Sequence, residues 1–264
     1  MTYSVSPAGI VATLASVAMI SWASPGSAAQ LMPDFSTGFG SWTTDRYEPA
    51  SFSNVGPFGG RTDVLGIGIN STTNSANRPS GQQDTFYNTQ GRQVSVSGGA
   101  GSVISADLYV PQAWSDAGLG ARRTDAWGVL STGSGLAYPI IGFTNYGGSA
   151  RFRIWDEETT NGWVDLADTV NFDDWNSLSM EFSGSSVIYS VNGSIAYTDS
   201  TFNSPTGFSA LIMQAYNFAD PSISGAVAND YVANWSNSEV PEPASLTLLA
   251  LSVAGLVTLR RRTS

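Results

Sequence analysis

The sequence predicts an all-β protein built as a two-sheet antiparallel sandwich, and three observations carry that prediction. Between Leu31 and Asn237 no long run shows a 3.6-residue apolar period. Short segments alternate apolar and polar residues instead, each bounded by Gly, Asn, Asp or Ser. Glycine supplies 28 of 264 residues and aromatics 11%, a composition suited to many short strands and tight turns.

Taken along the chain, the alternating segments run from Ser102 to Val110, Ala137 to Tyr146 and Ala150 to Asp156. Later ones span Trp175 to Phe182, Ser186 to Thr198 and Phe208 to Phe218. Two turns are specified by residue type. Asn192-Gly193 between alternating runs signals a two-residue hairpin of type I′, because both positions tolerate positive φ. Gly184 allows a second reversal. The stretch from Asp174 to Thr198 thus reads as three consecutive antiparallel strands. Roughly ten to thirteen strands are expected over the domain, enough for two packed sheets.

Composition also excludes chemistry. The chain has no cysteine and no histidine, and all eleven basic residues are arginine. A Ser-His-Asp triad, a Cys-His pair, a Schiff-base lysine, a P-loop lysine and zinc sites of the Cys/His kind are excluded. An enzyme made from this chain must use carboxylates, tyrosine, arginine or a hard metal ion. The net charge is −10, and between Gln30 and Val240 there are 20 acidic residues against 8 arginines. That balance argues against nucleic acid or an anionic membrane surface as a partner.

Both ends read as addresses. An apolar stretch from Ile10 to Trp22 is followed by Pro25-Gly26 and the small residues Ser27, Ala28 and Ala29. This pattern fits a signal peptide over residues 1–29, with signal peptidase cutting between Ala29 and Gln30. At the other end, residues 244–259 are mostly apolar. As a helix they would rise about 24 Å, short of a hydrocarbon core of about 30 Å. Such a helix holds the membrane only marginally, and the arginines after it stay cytoplasmic. Pro241 and Pro243 impose an extended segment before it. The working domain is then 30–238, with 239–264 as the tail.

Val240-Pro241-Glu242-Pro243, the apolar stretch and Arg260-Arg261-Arg262, in that order, resemble the PEP-CTERM sorting signal of exopolysaccharide-producing Gram-negative bacteria. The resemblance implies that an exosortase recognises Pro241, Glu242 and Pro243 and detaches the helix. The protein would pass transiently through the inner membrane to the cell surface or extracellular matrix, with exopolysaccharide as a possible partner. A second resemblance lies in Trp175-x-x-Leu178, Gly184 and Tyr189-x-Val191-Asn192-Gly193. It is similar to a pattern of laminin-G-like and concanavalin A-like jelly rolls. This implies a jelly-roll sandwich whose first strand, near Phe35 to Trp42, lies beside the last, near Asp230 to Trp235. It also implies frequent carbohydrate or protein binding.

Strand parity yields a candidate surface. Phe152 and Ile154 share one face of their strand and Arg151, Arg153 and Trp155 the other. By the same rule Ile104, Ala106, Leu108 and Val110 point inward, leaving Asp107 and Tyr109 opposite. Tyr146, Gln214 and Tyr216 complete the set if all belong to one sheet. Aromatic faces stack on sugar rings and planar polar groups orient hydroxyls, so Trp155, Arg151, Arg153, Tyr109, Asp107, Tyr146, Gln214 and Tyr216 form a candidate glycan-binding face. Asp156, Glu157 and Glu158 are candidate Ca²⁺ ligands on an acidic loop, although no EF-hand spacing is present and a solvated loop is the favoured account. No other cofactor is expected.

The leading expectation is therefore a non-enzymatic, exported, glycan-binding protein of the surface or matrix. A carboxylate-based glycoside hydrolase or lyase is one alternative. A structural or adhesive matrix component without a small ligand is another.

Overall fold

The computed structural model describes residues 28–219 and 230–238. The expected signal peptide up to residue 27, the Pro-Glu-Pro tail and its apolar stretch lie outside the described residues. Among the described residues the only helices are 3₁₀ turns of three or four residues. No helix there is long and apolar enough to cross a membrane.

Sixteen strands are present among the described residues. The first six are β1 (Ala29–Gln30), β2 (Thr43–Thr44), β3 (Ser51–Asn54), β4 (Val64–Ile69), β5 (Thr89–Gly98) and β6 (Ser102–Val110). Next come β7 (Arg123–Thr132), β8 (Gly135–Ala137), β9 (Ile140–Thr144), β10 (Arg151–Trp155) and β11 (Trp163–Asp165). The last five are β12 (Asp174–Phe182), β13 (Val187–Val191), β14 (Ser194–Asp199), β15 (Gly207–Tyr216) and β16 (Tyr231–Asn237). The excess over the expected number comes from β1, β2, β8 and β11, which are too short to show alternation.

The strands form two eight-stranded sheets. The first has the order β14-β13-β12-β6-β16-β4-β3, with β1 also paired to β6. The second has the order β11-β10-β9-β7-β15-β5-β2, with β8 on β7. All strand pairs are antiparallel except the two-residue pairing of β1 with β6. The expected all-β, two-sheet jelly-roll sandwich is the observed fold.

Local rules explain the hairpins. Asn192 and Gly193 have φ of 50° and 78°, the left-handed pair that a type I′ turn needs. They join β13 to β14, and Gly184 at φ 104° lies in the reversal between β12 and β13. The three consecutive strands read from the sequence are therefore present.

The inward faces of both sheets make the core. Ile104, Ala106, Leu108 and Val110 are buried as parity requires, and so are Phe152 and Ile154. Trp235, Tyr189, Phe35, Phe143 and Phe182 are among the largest fully buried side chains. Each contributes on the order of 1.5–3 kcal/mol by leaving water. Trp235 also satisfies its indole, donating to Thr124 Oγ1 across the sandwich at 2.9 Å.

The two ends of the domain meet, though not by pairing of the expected first strand. Phe35–Thr37 is a 3₁₀ turn, capped by Asp34. Asn237 instead ties it to β16, accepting from Phe35 N–H at 2.9 Å and donating to Pro33 O at 2.9 Å. The strand that does lie in line with β16 is β1, which pairs with Ser102 and Val103 of β6 while β16 pairs with Ala106 to Tyr109.

Candidate active site

The outward face of the second sheet is built in rows set by strand register. One row runs Asp165, Arg153, Gly142, Asp125, Gln214 and Gly91 across β11, β10, β9, β7, β15 and β5. The next runs Trp163, Trp155, Ile140, Trp127 and Ile212. Trp127, Val129, Ile140 and Ile212 are buried as a second apolar cluster, with Trp155 and Trp163 packed against it. This sheet therefore covers part of its outer face with tryptophan rather than leaving it to water.

The polar row is buried as well. Asp125 is fully buried on β7, where Arg123 Nε donates to its Oδ2 at 2.7 Å and Gln214 Nε2 donates to the same oxygen. Its other oxygen, Oδ1, has no partner, and neither do Gln214 Oε1, Trp127 Nε1 and Arg153 Nε. Arg153 stacks on Trp163, its guanidinium carbon 3.6 Å from the ring centroid, and Arg123 lies 4.7 Å from the same ring. Burial pushes the Arg153 guanidinium down to about 10, against the opposing pull of Asp125, so it remains cationic at neutral pH. Buried polar atoms without partners are costly and uncommon.

Of the eight surface residues expected on one face, Arg151, Arg153, Trp155, Gln214 and Tyr216 lie on strands of this sheet, and Tyr146 follows β9. Arg151 pairs with Asp165 at 2.7 Å and donates to the carbonyls of Ser149 and Tyr146. Asp107 and Tyr109 require a correction. They belong to β6 in the other sheet, where Asp107 pairs with Arg61 at 2.9 Å and Tyr109 packs edge-on against Phe58 and Trp175. Parity fixes which side of a strand a residue takes, not which sheet holds the strand. Arg123, Asp125, Trp127 and Trp163 were missing from the expected set. The alternation Arg123, Asp125, Trp127, Val129 against Thr124, Ala126, Gly128, Leu130 is the signal that finds the first three.

Past the end of β10, between the two sheets, three carboxylates converge. Asp156, Glu158 and Asp199 place one oxygen each within 4.8 Å of one another. Asp156 directly follows β10 and is buried; Asp199 ends β14 of the opposite sheet and is buried; Glu158 is exposed. Asp156 accepts from Glu158 N–H at 3.1 Å and from the Tyr197 hydroxyl at 2.6 Å. That hydrogen bond to Asp156 is the main reason the Tyr197 phenol is pushed up to about 12. Asp199 Oδ1 accepts from Thr201 N–H at 2.9 Å and from its hydroxyl at 2.6 Å. The expected trio Asp156, Glu157 and Glu158 is thus corrected: Asp199 replaces Glu157. Asp199 comes from another sheet, and no local spacing could have paired it with Asp156.

A cavity of about 680 Å³ lies further along the same sheet, lined in part by Asp45, Arg46, Tyr87, Val129, Tyr138 and Ile212. Arg46 pairs with Asp45 at 2.9 Å and lies over Trp127 at 4.4 Å.

Residues 239–262 match the PEP-CTERM protein-sorting motif. The chain carries that sorting signal. It marks an exported protein that an exosortase and a signal peptidase process. No curated protein matches the chain. Among solved structures, the chain is similar to the Crh5 transglycosylase in complex with NAG, at 13% identity over 81% of this chain and 86% of that one, with a TM-score of 0.41. A prokaryotic β-1,3-1,4-glucanase (lichenase) derived from a mouse hindgut metagenome matches at 12% identity over 74% and 90%, TM-score 0.41. A family 16 endo-glucanase from Bacteroides ovatus matches at 13% over 74% and 92%, TM-score 0.40. At this identity the likeness is one of fold.

The expectation of a non-enzymatic binding protein is corrected here. The chain gathers Asp156, Glu158 and Asp199, from the ends of β10 and β14, into one carboxylate set.

Proposed function

We propose that this protein is an exported glycoside hydrolase that works with carboxylates. The observation that carries the reading is the convergence of Asp156, Glu158 and Asp199 between the ends of β10 and β14, in a chain without histidine, cysteine or lysine. Glycoside hydrolysis is a chemistry that two carboxylates can perform unaided. One protonates the leaving oxygen, while the other attacks the anomeric carbon or activates water.

The roles follow from the hydrogen bonds. Both Asp156 oxygens are committed, one to Glu158 N–H and one to the Tyr197 hydroxyl, so Asp156 is a positioning residue. Glu158 is exposed, open to substrate and solvent, which suits the acid/base. Asp199, oriented by the two Thr201 donors, is the nucleophile. One oxygen from each carboxylate lies within 4.8 Å of the others, below the range of about 6.5–9.5 Å used by inverting enzymes, which favours retention. Trp155, Trp163, Arg151, Arg153, Gln214 and Tyr216 would line the path of the glycan.

The domain 30–238 would act outside the inner membrane after signal peptidase cuts between Ala29 and Gln30. Exosortase would recognise Pro241, Glu242 and Pro243, with Arg260, Arg261 and Arg262 held on the cytoplasmic side. Matrix exopolysaccharide is the accessible substrate.

The test is release of reducing ends from a panel of neutral and acidic polysaccharides. The wild type is expected to release them without unsaturated products, and Glu158→Gln and Asp199→Asn to lower the rate by roughly 10²–10⁴-fold. Unsaturated products would make it a lyase. A wild type inert on the whole panel, or variants with undiminished rates, would reject hydrolysis by these residues.

A further inference from the structure

Beyond Arg153, the same face opens into a cleft of about 190 Å³ lined by Arg123, Tyr146, Arg153, Tyr216 and Phe218. Three rings form one wall. Phe218 lies 4.8 Å from Tyr146 and 4.7 Å from Tyr216 between ring centroids. Two guanidiniums form the other.

The two arginines are not equivalent. Arg123 spends its charge on Asp125 at 2.7 Å, and Arg151 nearby spends its own on Asp165. Arg153 has no acceptor among the described residues; its Nε is buried without a partner although the side chain is only 8% exposed. Stacking on Trp163 engages the face of the guanidinium and leaves its in-plane N–H donors unused. Asp125 and Asp165 act on Arg153 through space without hydrogen-bonding it, and Asp125 Oδ2 already receives Arg123 and Gln214. The cleft therefore holds one cation without a hydrogen-bond acceptor, in a protein whose net charge is −10.

A guanidinium presents a planar fork that matches a carboxylate, and stacked aromatic rings match the C–H face of a pyranose. We propose that this cleft is a subsite for a sugar residue bearing a carboxylate, with Arg153 receiving the anion and Tyr146 and Tyr216 contacting the ring. The inference rests on the hydrolase reading only for what happens next to the bound glycan; binding itself needs no turnover.

The test compares matched probes by calorimetry on the full chain: uronate tetrasaccharides of the galacturonate, glucuronate and mannuronate series, each beside its carboxyl-reduced neutral counterpart. At least one acidic probe is expected to bind tenfold or more tightly than its neutral twin. Arg153→Gln is expected to erase that preference, and Arg153→Lys, which keeps the charge but loses the fork, to retain part of it. Equal affinities within every pair, or a preference that survives Arg153→Gln, would overturn the subsite. Should Arg153→Gln fail to fold, free uronic acid competing against the acidic probe better than the neutral sugar does is the required result, and equal competition overturns it. Repeating the titration in Glu158→Gln separates the two readings. A preference there with no cleavage by the wild type sinks hydrolysis alone; cleavage without a preference sinks the subsite alone.

Discussion

Gly142 is the register partner of Asp125, and a Cβ on it would lie 2.2 Å from Asp125 Oδ1 and 2.4 Å from the Thr124 carbonyl. The glycine makes the space in which the buried carboxylate sits between β7 and β9. Gly142→Ala is expected to destabilise the protein by roughly 1–3 kcal/mol, as overpacking does when backbone must move. Urea melts measure it, and an unchanged midpoint would show that Asp125 has another place to go.

The same substitution at Gly193 has a different cause. No atom lies within 4 Å of its would-be Cβ, but φ is 78°. Gly193→Ala is expected to cost roughly 1–2 kcal/mol through backbone strain alone. Replacement by D-alanine through chemical ligation should restore stability, whereas at Gly142 no conformational remedy exists. Restoration at neither site would contradict the assignment.

Asp125 neutralises a guanidinium away from water, with its side chain fully buried and that of Arg123 13% exposed. Asp125→Asn leaves Arg123 and Arg153 facing each other without the carboxylate. Removing one partner of a buried pair costs about 3 kcal/mol or more. A double-mutant cycle with Arg123→Met checks it: the double variant should be more stable than Asp125→Asn alone, and additive losses would deny the coupling.

These residues also show how far the sequence could be read. On β10, Phe152 and Ile154 against Arg153 and Trp155 follow from the two-residue period alone, because a strand's alternation is local. The Asn192-Gly193 turn is equally local. Sheet membership is not. Asp107 and Tyr109 obey the same parity as Trp155 yet lie on the opposite sheet, since which strands become neighbours depends on long-range pairing. The meeting of Asp156 with Asp199 is of that second kind. Asp125 stands between the two: its strand alternates plainly, but the space for its carboxylate depends on Gly142 of β9.

The Tyr197 phenol carries a pH signature. Its hydrogen bond to Asp156 pushes it up to about 12 from an ordinary 10. A raised phenol means that the folded state favours the neutral form. The resulting stability is complete below pH 10 and is lost as pH rises from 10 to about 12. The stability difference between wild type and Tyr197→Phe should therefore shrink across that window and stay flat below it. A difference independent of pH from 8 to 12 would remove the hydrogen bond as its source. Turnover should also fall in Tyr197→Phe without loss of substrate binding, because Asp156 no longer holds Glu158 in place.

The carboxylate trio invites calcium, and its hydrogen bonds argue against it. Calcium takes about six to eight oxygen ligands. The trio offers three carboxylates, and two of them already accept from protein donors: Asp156 from Glu158 N–H and Tyr197, Asp199 from Thr201. A cation bound there would have to sit opposite those N–H and O–H dipoles or displace them. EDTA is accordingly expected to leave both the melting midpoint and the hydrolysis rate unchanged. Millimolar Ca²⁺ should slow hydrolysis modestly by occupying Glu158, the exposed member. A midpoint that falls in EDTA and recovers with Ca²⁺ in the wild type, but not in Asp199→Asn, would instead make the trio a structural metal site. Catalysis would then have to be sought among Asp45 and Asp125 on the face of the second sheet.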